Sequence, residues 1–142
     1  MSPEFRTLLE MREMTQLIAM MAGPYLLVTG VGFLLSTRFY ERMVAGNEGT
    51  DPVALNLSGM VHFLIGLLIS VQHFRWGSVP EAIVTLIGIA ALLKGAFLIA
   101  APGMMLKSPG TSRAMLRLSG AAFVMLGGYL AYFGFIKTVA ES

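Results

Sequence analysis

Long apolar stretches separated by short polar connections dominate the pattern of this chain. Four windows are almost free of charge: residues 15–36, 53–73, 80–101 and 115–136. About 20 mostly apolar residues cross the hydrocarbon core of a bilayer as a helix, and a helix satisfies its own backbone hydrogen bonds there. The pattern therefore predicts an all-α integral membrane protein, with four transmembrane helices in a single membrane domain over residues 1–142.

The connections between these windows predict how the helices are arranged. Short connections place sequential helices side by side and antiparallel, so we expect an up-down four-helix bundle. Pro80 suits the first turn of the third span, where no N–H is needed. Pro24 lies inside the first window, which predicts a kink or a helix start there. Residues 1–13 are polar and are expected outside the first span, as a short helix at the membrane surface or as an extension preceding a start at Met14.

The second half of the chain echoes the first. The segment that begins at Pro24 matches the one that begins at Pro80, and residues 57–59 (LSG) reappear as residues 118–120 with a further glycine seven positions on in both copies. Two repeated helical hairpins would produce this pattern, related by an axis along the membrane normal. Chance similarity between apolar helices is the alternative.

Small residues recur at helical spacing in the second, third and fourth spans. Helices in a bilayer associate through close van der Waals contact, which small residues permit. These stripes would pack either within one bundle or against a partner protein. The predicted packing positions are Gly59, Gly66, Ser70, Gly88, Ala91, Gly95, Gly120, Gly127 and Ala131.

Composition agrees with a membrane protein and excludes several functions. The chain is 56% apolar and 13% charged, whereas soluble domains carry about 25% charged residues. It has no cysteine, which excludes disulfides, thiolate metal sites, iron–sulfur clusters and cysteine nucleophiles. The net charge of +2 lies in the connections and suits contact with a lipid bilayer better than with nucleic acid.

Two residues within the spans are candidates for a ligand site or another function, Lys94 and His62. Lys94 lies about 5 Å from the middle of the third span at about 1.5 Å per residue, and a charge there costs roughly 3 kcal/mol or more. It either extends toward the headgroups or binds an anion or substrate.

If the second and third spans are antiparallel, His62 lies at a similar depth, and the two side chains would line one cavity. Otherwise His62 is a neutral side chain that bonds a hydroxyl or carbonyl of an adjacent helix, with Tyr129, Thr29, Ser58, Asn56 and Thr85 as available partners.

Several functions are excluded by residue types that the spans lack. No span has a carboxylate in its central part, which disfavours a proton relay or a cation-coupled pump. His62 and His73 share one helix, about 16 Å apart by rise, so they do not ligate a single haem within the chain. Two histidines without cysteine or a buried carboxylate also make a poor metal site. We therefore predict no catalytic residues, no metal, no cofactor and no enzymatic activity.

A set of residues, most of them glycine, aromatic, histidine or proline, resembles the pattern of a group of small bacterial inner-membrane proteins. They are Gly23, Pro24, Gly30, Phe33, Gly59, His62, Phe63, Gly66, His73, Trp76, Val84, Thr85, Gly88, Gly95 and Pro102. These proteins have four helices and are broadly similar in layout to DoxX-like proteins. The resemblance implies a multi-pass protein of a bacterial cytoplasmic membrane and carries no catalytic residue. Because some DoxX-type proteins are associated with quinone-linked oxidoreductase complexes, it also implies a quinone-associated subunit as one function.

The leading functional hypothesis is a non-enzymatic accessory subunit that assembles with a membrane-protein partner or with copies of itself. Many small-residue faces and few buried polar groups favour it. The alternative is a small transporter or binder of a lipophilic or anionic molecule, with His62 and Lys94 at the site.

Overall fold

The structure, a computed structural model, describes residues 1–44, 51–107 and 111–136, which form helices and no strands. A π-helical turn, Tyr132–Ile136, continues the last helix. The helices are α1 Pro3–Leu35, α2 Thr37–Val44, α3 Pro52–Gln72, α4 Val79–Ala100, α5 Pro102–Lys107 and α6 Arg113–Ala131.

Four of these helices are long and apolar enough to span a membrane: α1, α3, α4, and α6 together with its π-helical turn. The bounds of α3, of α4, and of α6 with its π-helical turn lie within two residues of the predicted apolar windows. The prediction of an all-helical protein with four membrane-spanning helices is confirmed at this level. A chain with four such helices is a multi-pass membrane protein by length and composition.

Polar capping residues explain where α3 and α6 begin. The Asp51 carboxylate accepts a hydrogen bond from Val53 N at 3.0 Å at the start of α3, and the Ser112 hydroxyl accepts from Met115 N at 3.2 Å at the start of α6. Each satisfies an N–H that has no partner within its helix. Proline occupies the first turn of α3 and α4, as expected for Pro80.

The first helix is longer than its apolar window. It begins at Pro3, includes the polar N-terminal segment and passes Pro24 without ending. Its 33 residues extend about 50 Å at about 1.5 Å per residue, well beyond a hydrocarbon core of about 30 Å. Residues 1–13 are therefore not a separate surface helix, and most of them form an extension of α1 beyond the core.

Two of the connections contain short helices. In α2 the apolar and polar residues lie on opposite sides, which suits the membrane surface. Its Tyr40 ring contacts Phe33 of α1 edge-to-face, with ring centroids 4.7 Å apart. Its Glu41 carboxylate accepts a hydrogen bond from Arg113 Nε at 2.7 Å, which ties α2 to the start of α6.

The helices pack as two antiparallel pairs, α1 with α6 and α3 with α4, and α1 also touches α4. The expected hairpins would instead have paired the first span with the second and the third with the fourth. Sequential neighbours pack closely only in the α3·α4 pair. Glycines explain this pairing, because they let the backbone of α1 approach that of α6 and the backbone of α3 approach that of α4.

Glycines bring the backbones of α3 and α4 into contact. A Cβ added to Gly66 would collide with the backbone of Leu92, and one added to Gly95 would collide with the backbone of Phe63. A Cβ on Gly59 would lie 2.9 Å from that of Leu98. Each contact is closer than a side chain at the glycine position permits, so the helix separation itself depends on these residues.

The α1·α6 pair repeats this arrangement. A Cβ on Gly127 would lie 2.5 Å from Leu27 N, and one on Gly120 would lie 3.0 Å from Gly30 O. On α1, a Cβ on Gly23 would lie 2.5 Å from Ala131 N. The two pairs meet around a common core, whose buried members are Ala19, Leu26, Ile69, Val84 and Leu130.

Two adjacent glycines of α6 test this packing. We expect Gly127→Ala to lower the free energy of unfolding by about 1–3 kcal/mol, as overpacking does, because its Cβ meets the backbone of α1. Gly128→Ala is the matched control, since its Cβ would meet only the tip of Leu27, at 3.9 Å. Unfolding titrations in detergent measure both, and equal stability of the two variants would contradict the close approach at Gly127.

Candidate functional site

The structure brings Lys94 and His62 together, as expected from the similar depths of the two residues in antiparallel spans. Lys94 Nζ of α4 lies 3.1 Å from His62 Nε2 of α3. His62 Nδ1 lies 2.7 Å from Ser58 O and donates to it, because a carbonyl oxygen only accepts. Nε2 of the neutral ring then accepts a hydrogen bond from the Lys94 ammonium. The hydrogen-bond partners of His62 are therefore the carbonyl of its own helix and Lys94, rather than an adjacent helix's hydroxyl.

This pair lies on the outer surface of the helices rather than in a cavity. Lys94 is exposed and His62 is half-buried. Neither of the cavities described below has either residue in its lining. The Lys94 ammonium therefore faces the surroundings of the chain, with a neutral imidazole as its hydrogen-bond acceptor.

The predicted packing residues lie inside the chain. All nine are buried or half-buried, including Ser70, Ala91 and Ala131. Ser70 Oγ is buried without a hydrogen-bond partner in the described structure and faces Gly88. The small-residue faces are thus occupied by neighbouring helices of the same chain, which leaves other surfaces for any partner.

A buried histidine for which the sequence predicts no ligand connects three elements of the structure. His73, 1% exposed, follows the end of α3. Its Nε2 lies 2.8 Å from Thr15 Oγ1 of α1, and its Nδ1 lies 3.4 Å from Thr85 Oγ1 of α4. Thr85 was named as a possible partner of His62, but it lies beside His73 instead.

The hydroxyls around His73 have defined roles. Thr15 Oγ1 donates to Met11 O at 3.1 Å, so it accepts a hydrogen bond from the N–H at His73 Nε2. Thr85 Oγ1 donates to Arg75 O at 2.8 Å and accepts from Arg75 N at 3.0 Å. The cluster therefore fixes the start of the α3–α4 connection against α1 and α4.

Burial lowers the pKa of His73 below its ordinary value, because the charged ring would lose its hydration. A hydrogen bond with its own backbone and the nearby Glu81 carboxylate act in the opposite direction with smaller effect, and the Arg75 charge adds to the lowering. The folded protein consequently favours a neutral imidazole at this position.

A cleft of about 710 Å³ opens beside this cluster, between the N-terminal part of α1, the α3–α4 connection and α6. Its apolar lining residues are Phe5, Leu8, Leu9, Pro80, Tyr129 and Phe133. Its polar or charged lining residues are Arg12, Glu13, Thr15, Gln16, Arg75 and Glu81. A cleft of this size and mixed character is typical of small-molecule sites.

A second, smaller cavity of about 260 Å³ lies at the other end of the α3·α4 pair, between Pro52 and Pro102. Its walls are mostly apolar. Within the described ranges, no three of the His, Asp and Glu side chains are grouped closely enough to hold a metal ion.

Comparison with protein-family models, with curated proteins and with solved structures finds no match to this chain. The resemblance to DoxX-like proteins therefore stays a prediction that rests on the sequence pattern alone.

The sequence contains one signal that could have found the cluster. His73 continues the spacing of Gly59 and Gly66, so it lies on the face of α3 that packs against α4. On α4, Thr85 lies about one helical turn before Gly88, near the same face. The role of Thr15 has no such signal, because it depends on the contact between α1 and the end of α3.

The hydrogen bond between Thr15 and His73 can be tested with two threonines of the same helix. Thr15→Val is expected to lower the free energy of unfolding by about 1–3 kcal/mol, because it leaves a buried ring N–H without an acceptor. Thr7→Val is the control, since the exposed Thr7 hydroxyl bonds only Pro3 O of its own helix. Thermal unfolding in detergent compares them, and similar losses would argue against the bond.

The buried His73 also predicts a pH dependence. As the pH falls from 7.5 through about 6.5, the ordinary value for histidine, the unfolded chain takes up a proton that folded His73 resists. The free energy of unfolding should then decrease, by at most about 1.4 kcal/mol per pH unit. His73→Gln should remove this part of the slope between pH 7.5 and 5. Melting temperatures of both proteins across that range decide the matter, and identical slopes would show that His73 does not contribute.

Proposed function

We propose that this chain is a non-enzymatic interaction subunit, which docks through the α3·α4 surface around Lys94 against a transmembrane helix of another protein. The partner helix would supply an aspartate or glutamate at the depth of Lys94. The observation that carries the proposal is an exposed ammonium within a spanning helix, whose hydrogen-bond acceptor is the neutral His62 at 3.1 Å.

The physical argument is one of charge complementarity. An ammonium inside the hydrocarbon region is unfavourable by roughly 3 kcal/mol or more, and a neutral imidazole satisfies one hydrogen bond without balancing its charge. A carboxylate at this position would add an ion pair in a medium of low dielectric constant, where Coulomb attraction is strongest. The exposure of Lys94 leaves room for such a group.

A second copy of this chain is a poor source of that carboxylate. No span has an acidic residue in its central part, and Glu81 lies in the first turn of α4, at the opposite end from Lys94. We therefore favour a heteromeric complex over a homo-oligomer formed through this surface. The small-residue stripes do not favour a homo-oligomer either, because neighbouring helices of the same chain occupy them.

The second candidate function is binding or transport of a lipophilic molecule by the same ammonium. A carboxylate ligand would pair with Lys94 as a protein carboxylate does, and a quinone carbonyl would accept a hydrogen bond from it. The outward position of Lys94 favours the protein partner, since small ligands are usually enclosed in cavities.

We also propose that the chain is an internal duplication, in an up-down bundle of a bacterial cytoplasmic membrane. Corresponding contacts support the duplication: Gly66 packs on Leu92 as Gly127 packs on Leu27. Leu27 and Leu92 are 65 positions apart, whereas the prolines matched by letter, Pro24 and Pro80, are 56 apart. The packing therefore favours a different alignment of the first and third spans from the one that the prolines suggest.

A photo-crosslinking amino acid tests the docking surface in native membranes. We would place it at the exposed Phe97, one turn from Lys94, and at the exposed Met125 of α6 as the control position. The proposal predicts a protein adduct at Phe97 that is absent at Met125, kept in Lys94→Arg and lost in Lys94→Leu. Mass spectrometry should place the adduct in a transmembrane segment with an acidic residue.

Three other outcomes would overturn the heteromeric proposal. Adducts with lipid or a small molecule alone would favour the ligand-binding function. Adducts with another copy of this chain would favour a homo-oligomer. Identical protein adducts in Lys94→Leu and the wild type would show that the lysine charge has no part in docking.

A further inference from the structure

The cleft beside His73 carries an inference that goes beyond docking. We propose that it binds the headgroup of a zwitterionic amphiphile, a lipid that carries both a phosphate and a primary ammonium. The acyl chains would lie along Tyr129 and Phe133 and continue into the bilayer.

The position of the cleft favours an amphiphile. Its N-terminal wall belongs to the part of α1 that precedes the apolar window, while Thr15 marks the start of that window. The cleft therefore lies at the level where a lipid changes from headgroup to hydrocarbon. Its lining matches that change: Tyr129 and Phe133 lie on the part of α6 and its π-helical turn that packs against the apolar window of α1, whereas Arg75 and Glu81 lie at the α3–α4 connection and the start of α4.

The charges of the cleft match a headgroup with both signs. Its wall holds two guanidinium groups, of Arg12 and Arg75, and two carboxylates, of Glu13 and Glu81. A headgroup with only negative charge would meet both carboxylates, and one with only positive charge would meet both guanidinium groups. A phosphate beside arginine, with an ammonium beside glutamate, pairs both signs at once.

The Arg75–Glu81 ion pair is too long for a direct hydrogen bond, so both side chains keep hydrogen-bonding capacity for a headgroup. Arg75 Nε lies 3.8 Å from Glu81 Oε1, longer than a hydrogen bond, and the side chains are only 28% and 12% exposed. Guanidinium binds phosphate through two parallel hydrogen bonds, and a carboxylate accepts hydrogen bonds from a primary ammonium. Ethanolamine offers three N–H donors to Glu81, whereas choline offers none.

The cleft also has a suitable size. Its volume of about 710 Å³ falls within the range of about 300–1,000 Å³ that is typical of small-molecule sites. That space holds a phosphoethanolamine headgroup and the glycerol next to it. The longer acyl chains need the open side of the cleft, toward the apolar surface of the helices.

Native mass spectrometry of the full chain in detergent tests the inference. Phosphatidylethanolamine, phosphatidylcholine and phosphatidylglycerol with identical acyl chains would be added at equal concentration. We expect the ethanolamine lipid to be retained about fivefold more than either of the others, about 1 kcal/mol at about 1.4 kcal/mol per tenfold. Glu81→Gln should reduce this preference over choline to near unity, and Arg75→Gln should reduce retention of all three lipids.

Matched controls lie on α1, outside the cleft. Arg6→Gln and Glu10→Gln change the same charges at exposed positions that do not line it, and should leave the lipid preference unchanged. Melting temperatures of the two cleft variants near that of the wild type would show that the fold is intact; if either variant is unstable, the lipid preference of the wild type still decides. A preference for phosphatidylglycerol, a preference for phosphatidylcholine or equal retention of all three would overturn the inference.

Discussion

Close contact between helix backbones at glycine is the interaction on which the rest of this structure depends. In a bilayer the lipid tails are as apolar as the helices, so burial of apolar surface gives little reason for two helices to associate. Gly66 and Gly127 instead let the backbones of α3·α4 and α1·α6 meet without an intervening side chain. Many dispersion contacts, each weak, then act together. A single added methyl group at either glycine would collide with the backbone of the neighbouring helix.

This packing decides where polar chemistry can lie. With the small-residue faces occupied by neighbouring helices, two sites remain where polar groups of the spans are brought together. Lys94 and His62 lie on the surface of one pair, within the span. His73, Thr15 and the charged cleft lie where both pairs meet, beside the N-terminal extension of α1. A neutral buried imidazole joins the pairs at that end, and the cleft beside it opens at the level of the headgroups. The two sites differ in depth and character, which is why we assign them different occupants.

Several features follow from the sequence for physical reasons. The hydrocarbon thickness sets the length of an apolar window, so the four spans could be predicted, and antiparallel depth placed His62 beside Lys94. The pairing of the helices could not be predicted. The match between the Pro24 and Pro80 segments reflects sequence similarity near these prolines, whereas helix packing depends on which glycines face one another. The His73 cluster and the cleft need the contact of α1 with the end of α3, which no periodicity within one helix encodes. The polar N-terminal segment continues α1 because nothing in it ends a helix.

The most direct test of this account asks which helices are neighbours. Because the chain has no native cysteine, only introduced cysteines can form a disulfide within it. A Cβ on Gly120 would lie 3.0 Å from that of Phe33. Disulfide Cβ atoms lie about 3.5–4.5 Å apart, so cysteines at these two positions of α6 and α1 can form a disulfide once the helices separate by about 0.5–1 Å. The control pair joins Phe33→Cys with Leu55→Cys, near the facing end of α3. Mild oxidation in membranes, followed by mass analysis of the monomer, should show an intramolecular disulfide for the first pair and little for the second. The reverse result would contradict the paired arrangement and restore the simple hairpins.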